Sequence, residues 1–235
     1  MLAARHVEGA PMVHRNRLAG PVCTLVIALL LSPPSSSAIW AESSRYMSVP
    51  ALAASQIGGQ RVGTVHYVVL QLDRDSQGRG PTILFSESSA GSAVDEVWKD
   101  GARAAIVAAA RVMGEDARNW TLTIKNRSRH SLSSGSSASS AIAVGIVAAW
   151  RGDTLRSGIV LTGVITPEGR IEDVGDLPAK LQGAVAANMH AMLVPKGGAK
   201  TEEWDLYELG QQRNINVVEV STLQEAYEIM TGIRP

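Results

Sequence analysis

Residues 131–150 read SLSSGSSASSAIAVGIVAAW. Seven of the first ten are serine, and the last ten are apolar apart from one glycine. By itself a serine tract reads as a flexible linker. This one runs unbroken into a segment that is apolar on every side, which predicts a buried helix over residues 141–150. A linker rarely ends by entering a core. Small residues just ahead of a buried helix instead allow close backbone approach at its N-terminus. Free N–H groups and the positive end of the helix dipole there stabilise an oxyanion, so a serine in the first turn is well placed to be a nucleophile. Gly135-Ser136-Ser137-Ala138-Ser139 comes close to a G-x-S-x-G elbow, but it lacks the final glycine and no strand directly precedes it. A Ser-His-Asp triad would need His66, His130 or His190 as its base.

Outward from this stretch, strands and helices alternate without a strict βαβ rhythm. Residues 62–72 (VGTVHYVVLQL) are β-branched and read as a central strand, and 82–85 as a short one. Residues 92–113 keep the 3–4 spacing of one buried helical face through Val94, Val97, Trp98, Ala105, Ile106, Ala109 and Val112, and Gly114 ends the helix. Residues 120–125 alternate as a strand. Strands at 159–164 and 170–174 flank a Thr166-Pro167-Glu168-Gly169 turn. A helix opened by Asp176 is predicted over 177–188, a strand over 191–194, a helix over 202–209, a strand over 216–220 and a helix over 223–230. The fold class is α+β (mixed α/β), in one layered domain over 62–235. Residues 42–61 are rich in Ser, Ala and Gly and read as a flexible leader.

The front of the chain reads as an address. Residues 18–31 (LAGPVCTLVIALLL) form a 14-residue apolar run, the size of a signal-peptide core and short for a membrane span. Arg15 and Arg17 precede it, Pro33 and Pro34 follow it, and Ser36-Ser37-Ala38 offers small residues for cleavage. Residues 1–41 are therefore expected to be a signal peptide or anchor, and the domain to be exported, periplasmic or extracellular. If the segment stays uncleaved, the domain is membrane-anchored. Transient membrane contact would run through this segment. Beyond residue 41 the chain carries 19 basic and 21 acidic residues and no cysteine.

Composition narrows the chemistry. A net charge of +0 argues against a nucleic-acid partner bound by phosphate neutralisation. The single cysteine, Cys23, excludes a disulfide framework and a cysteine zinc site, and the five histidines show no metal-ligand spacing. The nearest approach to a phosphate loop, Gly198-Ala199-Lys200-Thr201, lacks the glycine before its lysine, so no ATP is expected. No cofactor is implied.

A second feature is Lys180, in the first turn of the helix after Gly175-Asp176. The dipole there disfavours an ammonium, burial would disfavour it further, and a lysine neutral near pH 7 can accept a proton from a serine. For a single lysine the ordinary reading is a solvated helix face. Taken together, the two features resemble the proteolytic domain of the Lon family of Ser-Lys peptidases. The family's Gly-Pro-Ser-Ala-Gly is matched by residues 135–139. Its Thr-Gly-Glu-Ile-Thr is matched by Thr162-Gly163-Val164-Ile165-Thr166, and its Gly-Gly-Leu-Lys-Glu-Lys-Leu by residues 175–181 (GDLPAKL). Its Val-Leu-Ile-Pro is matched by Met192-Leu193-Val194-Pro195. The separation of Ser137 and Lys180, 43 residues, is that of the family. The resemblance covers roughly residues 62–232 and is strongest over 134–195. Ser134, Ser136 and Ser139 stand where the family has Asp, Pro and Gly, and Thr123 and Lys125 where it often has histidines. The resemblance implies an ATP-independent serine endopeptidase acting on peptides or unfolded chains. In it Ser137 is the nucleophile, Lys180 the general base, and Thr162 orients the amine. Family domains form rings, so a homo-oligomer is compatible with it. The alternative is a catalytically silent domain used as an exported binding or assembly module.

Overall fold

The computed structural model describes residues 44–75, 77–87, 93–128 and 132–235. The expected signal segment, most of the serine tract's upstream flank and His130 lie outside the described residues. The strands are β1 (Arg45–Ile57), β2 (Gln60–Arg74), β3 (Thr82–Phe85), β4 (Ala93–Val94), β5 (Trp120–Arg127), β6 (Leu132–Ser133), β7 (Ile159–Leu161), β8 (Val164–Ile165), β9 (Ile171–Glu172), β10 (Ala191–Pro195) and β11 (Asn216–Val220). The helices are α1 (Glu96–Met113), α2 (Ser139–Arg151), α3 (Leu177–Ala186), α4 (Leu206–Gln211) and α5 (Leu223–Thr231).

Among the described residues, seven strands form a mixed sheet in the order β11-β10-β7-β1-β2-β5-β3. The fold is mixed α/β, as the sequence predicts. Inward positions alternate along the strands. Val68, Leu70 and Leu72 of β2 and Leu122 and Ile124 of β5 enter a core shared with α1, α2 and α5. Leu52 of β1, Val160 of β7 and Met192 and Val194 of β10 enter a second core under α3 and α4. Helix α2 is buried from Ser139 to Ala149. Each fully buried Ile or Val in it contributes roughly 1.5–3 kcal/mol. Gly145 brings α2 against the sheet, since a Cβ there would stand 2.8 Å from Leu70 Cδ1.

The leader expectation for residues 42–61 is corrected. β1 occupies most of that stretch and pairs antiparallel with β2 from Arg45↔Leu72 to Ile57↔Gln60. Its small residues suit a strand covered on both faces: Ala51 and Leu52 are both 0 % exposed. Gly58 and Gly59, at φ 57° and 82°, make the tight hairpin turn, a conformation that glycine pairs favour. Four further boundaries move. α1 starts at Glu96, with Val94 in β4 and Val97 exposed at 55 %. α3 ends at Ala186. The predicted helix over 202–209 is α4, which starts after the Asp205 cap. The strands predicted around the 166–169 turn shorten to β7, β8 and β9, with Gly169 at φ 86° inside the turn. No helix of the described residues is long and apolar enough to cross a membrane.

Candidate active site

Ser137 lies two residues ahead of α2, on the segment that leaves β6. Its placement comes from its carbonyl oxygen. That oxygen accepts hydrogen bonds from the Gly163 N–H at 2.9 Å and from Thr162 Oγ1 at 3.3 Å. Thr162 is 0 % exposed and is tied to β10 through its own N–H, which donates to the Leu193 carbonyl at 3.1 Å. Ser137 and Thr162 are thus brought together. The threonine hydroxyl donates to the serine backbone, and no hydrogen bond joins it to Lys180 among the described residues.

Ser139 fills the place where a glycine would leave room, and its side chain turns inward. It is 1 % exposed, accepts the Ile165 N–H at 2.9 Å and reaches the Gly163 carbonyl at 3.5 Å. The extra hydroxyl therefore staples the start of α2 to β8. Ala138 caps α2 with no side-chain bond. The Ser139 N–H is committed to the Ser136 carbonyl and the Ser140 N–H to the Gly163 carbonyl.

Lys180 is buried, at 4 % exposure, on α3. Burial depresses its amine from 10.5 to about 8, and the nearby Asp176 carboxylate opposes the shift. Asp176 does not cap α3 as the sequence suggests. It sits at φ 60° without a side-chain cap bond, and its carboxylate pairs with Arg61 Nε at 3.3 Å.

The helix that carries Lys180 meets β2 at a glycine crossing. A Cβ on Gly63 of β2 would stand 1.9 Å from the Ala179 oxygen and 2.8 Å from Lys180 Cα. One on Gly183 of α3 would stand 2.3 Å from the Gly63 carbonyl carbon. Strand and helix therefore touch backbone to backbone beside the lysine. A lone glycine inside the β-branched run of residues 62–72 is the sequence signal that marks such an approach. Next to the crossing lies a cavity of about 270 Å³, lined by Gly63, Thr64, Val65, His66, Ser128 and Gly183 among others.

Among the described residues no hydrogen bond joins the Ser137 hydroxyl to Lys180 or to a histidine. His66 is buried on β2, and the His190 N–H donates to the Gly158 carbonyl. The arrangement supplies a serine at a helix mouth and a desolvated amine held by a rigid crossing, the two ingredients of base-assisted acyl transfer.

The profile of the Lon protease (S16) C-terminal proteolytic domain matches residues 94–231, more than half of the chain. Among curated proteins, the chain is 34% identical over 97 residues to Lon protease 2 of Herpetosiphon aurantiacus, covering 40% of this chain and 11% of the relative. It is 32% identical over 93 residues to the Lon protease of Azospirillum brasilense, covering 39% and 11%. It is 23% identical over 120 residues to the archaeal Lon protease of Pyrococcus abyssi, covering 51% and 12%. The chain thus matches only about a ninth of the length of these relatives.

Proposed function

The chain belongs to the Lon protease (S16) C-terminal proteolytic domain family, and from that premise we propose that it is a serine endopeptidase with Ser137 and Lys180 as its dyad. The observation that carries the reading is the buried amine of Lys180. At about 8 it is uncharged in roughly a tenth of molecules at pH 7, about 300-fold more than at its unperturbed 10.5. A neutral amine can do what an ammonium cannot: it takes the Ser137 Oγ proton as the oxygen attacks the scissile carbonyl. The tetrahedral intermediate then collapses, the peptide nitrogen leaves with the proton that Lys180 carried, and an acyl-enzyme remains. Water, deprotonated by Lys180, releases the acyl group and restores the serine.

Of the loop amides without a backbone hydrogen bond among the described residues, those of Ser137 and Ala138 lie at and beside the nucleophile. They are the donors left for the oxyanion. Thr162 keeps its lone pairs while donating to the Ser137 carbonyl, so it can accept a hydrogen bond from the amine and orient it. The reaction needs no ATP, metal or cofactor, and its substrates are peptides or unfolded chains. The domain works after export or at a membrane anchor, alone or as a homo-oligomer.

The second reading, a silent module that binds without cleaving, draws on the missing Ser137–Lys180 hydrogen bond. One experiment separates the two: exposure to a serine-directed acylating probe, followed by peptide mapping, with hydrolysis of an unfolded protein measured in parallel. Labelling of Ser137, lost in Lys180→Ala, supports the dyad. A folded protein that neither labels nor cleaves establishes the silent module.

A further inference from the structure

The segment that presents Ser137, Ser133-Ser134-Gly135-Ser136-Ser137, has no proline and no β-branched residue to stiffen it. Gly135 sits at φ 85°, in the left-handed region. Such a backbone gives up much conformational freedom when held in one shape. Something outside the segment must hold it: Gly163 and Thr162 hold its Ser137 end, and the beginning of α1 holds the rest.

β4 runs parallel to β6, with Val94 paired to Ser133. One residue on, the Asp95 N–H donates to the Ser133 carbonyl at 3.1 Å. The Asp95 carboxylate then works in two directions. One oxygen accepts the Trp98 N–H at 2.8 Å and caps α1. The other accepts the Ser134 hydroxyl. Further along α1, Gly101 lets the same loop lie flat on the helix, since a Cβ there would come within 3.0 Å of Ser136 Cβ and 3.2 Å of Ser139 Cβ. The loop and the first residue of α2 are gripped at Ser133, Ser134, Ser136 and Ser139 by Asp95 and Gly101.

We propose that Asp95 is a positioning residue for the reaction: its carboxylate clamps the loop through Ser134 and so fixes where Ser137 stands relative to the amine of Lys180. The proposal rests on the dyad reading for its catalytic consequence. The clamp itself is a property of the fold and is measurable without turnover. The direction of the Asp95 pKa agrees with it. Burial works to raise the carboxyl, but the Ser134 hydroxyl and the Trp98 and Gly135 N–H groups outweigh burial and hold it below its usual value. An ionised carboxylate accepts from all of them at once, whereas an amide would present an NH2 group to one side.

Two variants separate clamp from cap. Asp95→Asn keeps a good helix N-cap but turns a donor toward Ser134 and Gly135 on one side. Ser134→Ala leaves the cap untouched and removes only the grip. Because a displacement of about 1 Å at a reacting group costs on the order of 100-fold, Asp95→Asn is expected to lower kcat roughly 10- to 100-fold with KM within about threefold. Ser134→Ala is expected to lower kcat about fivefold, and both should melt within a few degrees of the parent. The second arm uses amide hydrogen exchange at Gly135, whose N–H the Asp95 carboxylate accepts, in a Ser137→Ala background, where Asp95→Asn should speed exchange at least tenfold. Accelerated exchange in a protein whose parent shows no turnover keeps the clamp and removes the dyad reading. Unchanged exchange, or kcat within twofold of the parent in a folded and otherwise active Asp95→Asn, overturns the proposal.

Discussion

Replacing Lys180 by Met should stabilise the domain while abolishing hydrolysis. Lys180 is 4 % exposed, and its amine is held at about 8 against 10.5 in the unfolded chain, chiefly by burial. Keeping it protonated in that environment costs the folded state about 3 kcal/mol. The unfolded chain holds its proton up to 10.5 and the folded one only to about 8, so stability rises with pH between those values. Below pH 8 the whole cost is present, and above 10.5 it is gone. Methionine is unbranched, adapts to an irregular site and carries no charge. At pH 7 the variant should gain about 3 kcal/mol, which for a domain of this size is a melting-point rise of roughly 6–12 °C. The assay is thermal unfolding followed by circular dichroism at pH 7, 9 and 10.5, for parent and variant side by side. The gap should shrink steadily as the pH rises. A Lys180→Met protein no more stable than the parent at pH 7, or a gap constant across that range, would refute the idea that the lysine is a desolvated base.

Other consequences can be checked with ordinary variants. The pH profile of kcat/KM should rise about tenfold per unit below pH 8 and flatten above it, following the free amine of Lys180; an inflection near 6.5 would instead implicate a histidine. Gly63→Ala puts a methyl group 1.9 Å from the Ala179 oxygen, so it should cost at least about 2 kcal/mol in denaturant unfolding and lower kcat by moving α3. Ser139→Ala leaves the buried Ile165 N–H without its acceptor and should destabilise by about 1–3 kcal/mol, seen as a lower urea midpoint. Ser140 has a buried hydroxyl without a partner among the described residues, so Ser140→Ala should be neutral or stabilising by up to about 1 kcal/mol in the same titration.

The sequence alone determined those features whose cause lies within a few neighbouring residues. The all-apolar run after the serine tract could only be a buried helix, and α2 is buried from Ser139 to Ala149. The β-branched run of residues 62–72 became β2, and Gly114 ends α1 in the left-handed conformation. Hydrogen bonds inside a helix or turn join residues close in the chain, so local pattern carries them. β1 escaped that logic, because its Ser and Ala residues are strand-forming only when β2, α2 and α3 cover them. A cue was present in Gly58-Gly59, which marks the hairpin.

The candidate site divides the same way. The resemblance of two motifs to the Lon family singled out Ser137, Lys180 and Thr162, but the helix that carries Lys180 is seated by Gly63, more than a hundred residues away, meeting Gly183. The hydroxyl of Ser139 turned out to bond Ile165, and Ser134 found Asp95 across 39 residues of chain. Which side chain is desolvated, and which acceptor meets which donor, depends on contacts between segments far apart in sequence. Those contacts exist only once the sheet has brought α1, α2 and α3 to their places, and for that reason only the tertiary structure decided them.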